Sequence, residues 1–471
     1  MKWLKSKGFQ RVVWLVLGLL LALIGYGLLQ LIEPVRIAPI VQTTPPVQFA
    51  GRALLLASDA DMVATAYADG QLDRVPGIED ALTVVELPLN ASQPGVESIQ
   101  VSNSVMSWPQ IMAVSPNGQR AYVAEVRSRP ADNIQAFDTI EEMPAGDRIS
   151  IVDIENPAEP KLIASVPVGR NPNHLSISPN GQLLAVDLED ADTDLSIFQI
   201  NPDGTLGQRS DFAIAPDLPS ATVPTATVWH PSGQFLAITT NGESPAGPST
   251  SWVAFYKVIQ DNQTLRLDLY SEPLLVGNHL SHARFSADGR FLLVPDLKWR
   301  TRRLRALSYL LNPKGKMIAI RFEPASGKTP EIADRVEVGL SPEGFAVSPD
   351  NSLIVTVNMR RTYLGPRPLP AWRGKPHSSL SLLAFDPTVG ALTPIDEYGF
   401  EGLLPEQATF DADGQSIAVV IYNYREPSPT TGAVEFWRVV ADAPPRLERT
   451  GFKLDVVRGA HDIVLVSSLG E

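Results

Sequence analysis

Residues able to hold a ligand or move a proton recur in this chain at a fixed place in a repeated phrase. The phrase ends in a tight turn: Ser115-Pro-Asn-Gly118, Ser178-Pro-Asn-Gly181, His230-Pro-Ser-Gly233, Ser286-Ala-Asp-Gly289, Ser348-Pro-Asp-Asn351 and Asp411-Ala-Asp-Gly414. Seven positions before the second residue of each turn stand Pro109, Pro172, Pro224, Leu280, Pro342 and Pro405. The next position is always polar: Gln110, Asn173, Thr225, Ser281, Glu343 and Glu406. Ile111, His174, Ala226, His282, Gly344 and Gln407 follow, and His461-Asp462 near the end of the chain fall at about the same place. Brought onto one axis, these side chains would coordinate a ligand, an ion or ordered water. The plainer alternative is that they are polar because water fills the space they line.

The elements that carry them are short strands. Pro presets φ and Asn-Gly accepts positive φ, so each turn joins two apolar runs into a β-hairpin. The turn anchors at 116, 179, 231, 287, 349 and 412 are 63, 52, 56, 62 and 63 residues apart. A hairpin unit at that period, with third and fourth runs such as Ile149–Ile154 and Leu162–Val168, predicts a β-propeller. Six complete units span roughly 104–170, 171–216, 217–277, 278–340, 341–402 and 403–458. Gly51–Asn103 lacks the opening phrase, and His461–Val466 is an apolar strand with no partner downstream. The two ends together make a seventh blade, and ring closure removes exposed sheet edges. In such a ring the first strand of each blade lines the central channel, so the polar positions form a channel mouth.

Ahead of the repeats, Met1–Arg11 carries four basic residues and no acid, and Val12–Ile32 is uncharged for twenty-one residues. As a helix that run reaches about 30 Å, the thickness of a bilayer core. No small-residue cleavage site follows, so it reads as an uncleaved anchor with its basic end in the cytoplasm. The expected organisation is a basic flank at 1–11, a transmembrane helix at 12–32, a Pro-rich tether at 33–50 and an all-β, seven-bladed propeller over 51–471. The propeller would lie in the periplasm or a lumen.

Composition removes several functions. With no Cys there is no disulfide, thiolate metal site or Cys nucleophile. A net charge of −13 excludes an ordinary nucleic-acid binder. Six His, no H-E-x-x-H and no G-x-S-x-G leave no expected metal or cofactor. One feature opposes the global charge. Lys298, Arg300, Arg302, Arg303 and Arg305 crowd one linker, and Arg360, Arg361, Arg367, Arg373 and Lys375 crowd the corresponding linker of the next unit. Trp299, Tyr309, Tyr363 and Trp372 lie among them. Equivalent linkers emerge on one face, which predicts a basic, aromatic surface for an anionic ligand, a lipid head group or an acidic protein face.

The phrase Asn171-Pro-Asn-His-Leu-Ser-Ile-Ser-Pro-Asn-Gly181 resembles the YVTN repeats of bacterial propellers. Ser281–Leu297, reading S-H-A-R-F-S-A-D-G-R-F-L-L-V-P-D-L, is similar to a stretch of the 6-phosphogluconolactonase-like lactonase family. That resemblance implies a seven-bladed ring and lactone hydrolysis, with an Arg-His pair before one turn and an N-E-L after it. Here the matching places hold Glu343-Gly344 and Asn358-Met-Arg360. Lactone opening needs a base and a cation for the developing carboxylate, and the catalytic candidates are His282, Arg284, His174 and Glu343. The leading expectation is a membrane-anchored, non-catalytic ligand- or protein-binding module. The alternatives are a lactonase and a cofactor-bearing oxidoreductase, for which no haem-attachment signal is present.

Overall fold

A computed structural model of the chain describes residues 7–32, 35–42, 47–62, 70–72, 74–90, 92–138, 142–190, 192–218, 222–242, 249–261, 264–299, 312–362, 377–424 and 430–467. Seven antiparallel sheets form the blades of a propeller. Numbering the blades by the order of their second strands, the innermost strands are Ala460–Val466 for blade 1, then Met112–Val114, Leu175–Ile177, Thr222–Trp229, Arg284–Phe285, Pro342–Val347 and Ala408–Phe410 for blades 2 to 7. Blade 4 carries one extra short strand, Leu274–Gly277, beside its third.

The repeated turn explains the repeated sequence. In blade 3 the Gly181 N–H donates to the Ser178 carbonyl (2.8 Å), and the Leu183 N–H donates to Ser178 Oγ (2.9 Å). Ser178 Oγ in turn donates to Asn180 Oδ1 at 2.7 Å. Gly181 sits at φ 71°, a conformation that glycine adopts without a Cβ penalty. Ser286 and Ser348 make the same bonds to Asp288 and Asp350.

Each blade grades from buried to exposed outward along its strands. Ala53–Ser58, Phe291–Asp296 and Ser416–Ile421, all second strands, are buried at every residue, because neighbouring blades cover both faces. The outermost strand Lys161–Pro167 is exposed or half-buried throughout.

Blade 1 is completed by both ends of the chain, as the unpaired tail strand required. Ala53–Ser58 pairs antiparallel with Ala460–Val466, from Ala53 opposite Val466 to Ser58 opposite Ala460, with a bulge at Ala57/Ser58. Ring closure is therefore made by hydrogen bonds across the sequence termini of the ring.

Two expectations for the amino-terminal region change. Lys7–Ile32 is helical, but its side chains are described only over 11–25, and among the described residues no helix is long and apolar enough to cross a membrane. The Pro-rich segment is not a free tether. Ile37 bridges Gly399 on the outer strand of blade 6, and Ile40 bridges Arg449 on the outer strand of blade 7. Further on, Phe49 is fully buried and packs edge-on to Phe436 of blade 7, with ring centroids 5.4 Å apart. Residues 35–42 are a strap over two outer edges, covering donors and acceptors that an edge strand leaves unpaired.

Candidate functional site

Three tiers succeed one another along the axis. At the end where the inner strands begin, Val105, Leu297, Trp299, Met359, Leu403, Leu404 and Tyr422 make one apolar cluster. They come from segments flanking blades 2, 5, 6 and 7. Beside them the His279 ring packs against Trp108 (5.1 Å) and stacks on Trp299 (5.7 Å, 27°). Trp108 precedes blade 2 and His279 precedes blade 5; those blades are not neighbours, so this contact crosses the axis. Trp299 is fixed by its Nε1–H, which donates to Ser341 Oγ at 2.9 Å.

Below that cap lies the polar tier, and the expected channel-mouth residues belong to it. They are not at an open mouth: Asn173, His174, Thr225, Ser281, His282, Glu343, Glu406, Gln407 and His461 are all buried. Only Gln110, at φ 82°, is half-buried. Several are committed to the fold. Thr225 bonds Thr239 within its own blade (2.9 Å), Ser281 Oγ donates to the Glu343 carbonyl (2.6 Å), and Asn173 Oδ1 accepts the Trp108 N–H (3.2 Å).

The protonation states follow from burial. Asn103 Nδ2 donates to the Ser58 and Val101 carbonyls, so its Oδ1 faces His461 Nε2 at 2.8 Å as an acceptor. His461 thus carries its proton on Nε2, with Nδ1 3.9 Å from Glu406. Burial holds His461 and His174 down to about 3 and His282 well below its ordinary value. The same desolvation pushes Glu343 up to about 8 and raises Glu406 well above its ordinary value, with the charges of Glu343, Asp59 and Asp462 adding to the rise. At pH 7 the imidazoles of this tier are therefore unprotonated and Glu343 is protonated. His174 and His282 have ring centroids 6.1 Å apart, and both nitrogens of His174 and Nδ1 of His282 have no hydrogen-bond partner.

The third tier is open. A cavity of about 760 Å³ runs from the hairpin turns inward, past Pro179, Pro231 and Pro349, to a floor including His282, Gln110, Gln407 and Asp462. Arg284 lines it and is exposed there. Access to the polar tier thus comes from the hairpin-turn end.

The basic surface is corrected where it is described. Arg360 and Arg361 are buried, and Arg360 Nη1 pairs with Glu397 Oε1 of its own blade at 3.0 Å. Lys298 is half-buried, at φ 56°, with its N–H on Asp296. Arg300, Arg302, Arg303, Arg305, Arg367, Arg373 and Lys375 lie outside the described residues.

Sequence reasoning missed a buried acidic trio. Asp59, Asp61 and Asp80 each bring a ligand oxygen within 4.8 Å of the others, the one described group with a metal-holding arrangement. Its oxygens already serve the backbone: Asp59 accepts from Met62 (3.0 Å) and Val105 (2.8 Å), Asp80 from Ala60 (2.9 Å) and Asn103 (3.2 Å). Arg458, Arg74 and Arg129 supply positive charge nearby. Asp59-Ala-Asp61 directly after an apolar run was the available signal; Asp80 joins it only through the sheet.

No protein-family model matches the sequence, and no curated protein matches it. Solved structures do. The periplasmic gluconolactonase of Pseudomonas aeruginosa superimposes with a TM-score of 0.57 at 16% identity, covering 90% of this chain and 100% of that one. Proposed 6-phosphogluconolactonases of Bacteroides uniformis (0.56, 15%, 89% and 99%) and Bacteroides fragilis (0.55, 14%, 91% and 100%) are similar. The likeness is one of fold. It agrees with the seven-bladed ring that the Ser281–Leu297 stretch implies.

Proposed function

We propose that this chain is a ligand-binding propeller that takes a small polar molecule into its channel from the hairpin-turn end. The observation that carries the reading is His282 Nδ1: a buried polar atom without a protein partner, on a residue that lines the open cavity. Buried polar groups are satisfied by protein, water or ligand, and the cavity that His282 lines with Gln110 and Gln407 brings such groups beside a space open to a ligand. The uncharged run over Val12–Ile32, with Val12, Trp14, Leu15 and Leu19 exposed, supports residence at a membrane surface.

Lactone hydrolysis is the second reading, favoured by one specific pairing. His282 is unprotonated at neutral pH, and Arg284, two residues along the same segment, lies close enough to act on its charge. A base and a cation would then face one cavity. Against it, burial that lowers the His282 pKa also makes it a poor proton acceptor, and Glu343 is protonated below about pH 8.

The deciding experiment is lactone turnover by the purified full chain, followed by acid release. The binding reading expects no rate above the uncatalysed one. Turnover that falls about 100-fold or more in His282→Gln, the range of a lost general base, would replace it with the lactonase reading.

A further inference from the structure

Among the described residues, Arg284 is a cation without a counter-ion. It stands three residues before the turn anchor of blade 5, exposed to the channel whose wall it helps to form. At the same distance before the turn, the other blades hold Ala113, Ser176, Val228, Ala346 and Thr409. None of these five positions carries a charge. No described carboxylate acts on the Arg284 charge.

The two carboxylates that do line the cavity are otherwise engaged. Asp411 accepts the N–H groups of Gln415 (2.8 Å), Ser416 (2.9 Å) and Ala50 (3.3 Å). Asp462 accepts those of Met112 (3.0 Å) and Ile463 (2.9 Å). Both are spent on holding backbone, one at a hairpin and one at the closing strand. Exposed to the channel and without a described carboxylate beside it, the guanidinium keeps its donors free for an anion that enters. A guanidinium presents a planar fork that matches an oxyanion with two parallel hydrogen bonds.

We infer that the channel takes an oxyanion, carboxylate or phosphate, held by Arg284 just inside the hairpin-turn mouth. The uncharged remainder of the ligand then reaches the deeper floor at His282 and Gln407. The cavity volume of about 760 Å³ lies within the range of small-molecule sites, so an ion with an attached carbon skeleton fits. The inference rests on the channel reading above and narrows it to a ligand class.

The test uses the full chain in detergent and follows Tm with inorganic phosphate, gluconate or the neutral sorbitol. Ligands that bind only the folded state raise Tm with concentration. Phosphate, gluconate or both should raise it, and whichever does so names the source of the oxyanion. Arg284→Gln should abolish the shift, while Arg284→Lys should keep part of it. Thr409→Phe, which narrows the same cavity, should abolish it as well. An anion shift that persists in Arg284→Gln, or no shift with either anion, overturns the inference. If sorbitol protects equally in wild type and Arg284→Gln but not in Thr409→Phe, the channel reading survives and the oxyanion assignment falls. An anion shift that survives Thr409→Phe places the ligand outside the channel and overturns both.

Discussion

Burial, not charge pairing, governs the ionisable residues of the channel, and this has a measurable consequence. Glu343 and Asp187 are pushed up to about 8, Asp59 to about 7 and Asp462 to about 6. Unfolded, all four titrate near pH 4. The folded protein holds protons that the unfolded chain releases, so this stability is full below about pH 4 and is lost as pH rises through each folded value. His174 and His461, held at about 3, act in the opposite sense: their contribution is lost as pH falls below about 6.5. Above about pH 6.5 only the carboxyls remain active. Tm should therefore decline from about pH 6.5 to about pH 8.5, and Glu343→Gln should flatten part of that slope without lowering Tm at the upper end. A flat or rising profile for the wild type would contradict these protonation states. None of this was visible in the residue order, which places the polar positions in register but carries no measure of how deeply a cap of Trp108, His279 and Trp299 encloses them. That cap is assembled from residues of blades 2 and 5, far apart in the chain.

At the scale of elements, the hairpins were legible because their chemistry is local. Ser-Pro-Asn-Gly fixes its own turn through bonds that span a few residues, so six blades could be counted directly. The strap was not legible, since Pro34–Ala50 has few charges and no periodicity, and its partners Gly399, Arg449 and Phe436 lie hundreds of residues away. Its packing nonetheless binds it firmly to blades 6 and 7. Phe49→Ala would remove a fully buried ring, a change that costs about 3–5 kcal/mol in a well-packed core. Denaturant unfolding should show that loss, and limited proteolysis should then cut within 35–50 before it cuts the blades. Unchanged stability, or cleavage in the strap of wild type at the same rate, would mean that the strap is not part of the folded unit. The same long-range dependence hid the cavity: Arg284 reads like any strand-end cation until the rest of the ring is built around it.

For the whole molecule, the decisive joint is the one between Arg446–Val457 and the closing strand Ala460–Val466. Gly459 makes that turn at φ 91°, and a Cβ there would lie 1.7 Å from the Asp59 carbonyl oxygen. The obstacle is backbone of the strand pair being closed, so it cannot rotate aside. Gly459→Ala should therefore lower Tm far more than an alanine at Gly327, which meets no neighbour, and should favour association through the opened edge of blade 1. Equal Tm for the two variants would show that the closing pair is dispensable. Because Ser58 waits for Ala460, the ring also imposes a schedule on synthesis. At about 5–20 residues per second, a ribosome needs roughly 20–80 s to travel between the two partners. Throughout that interval the nascent protein holds an apolar strand with one bare edge, which makes this edge the natural place for a chaperone to wait.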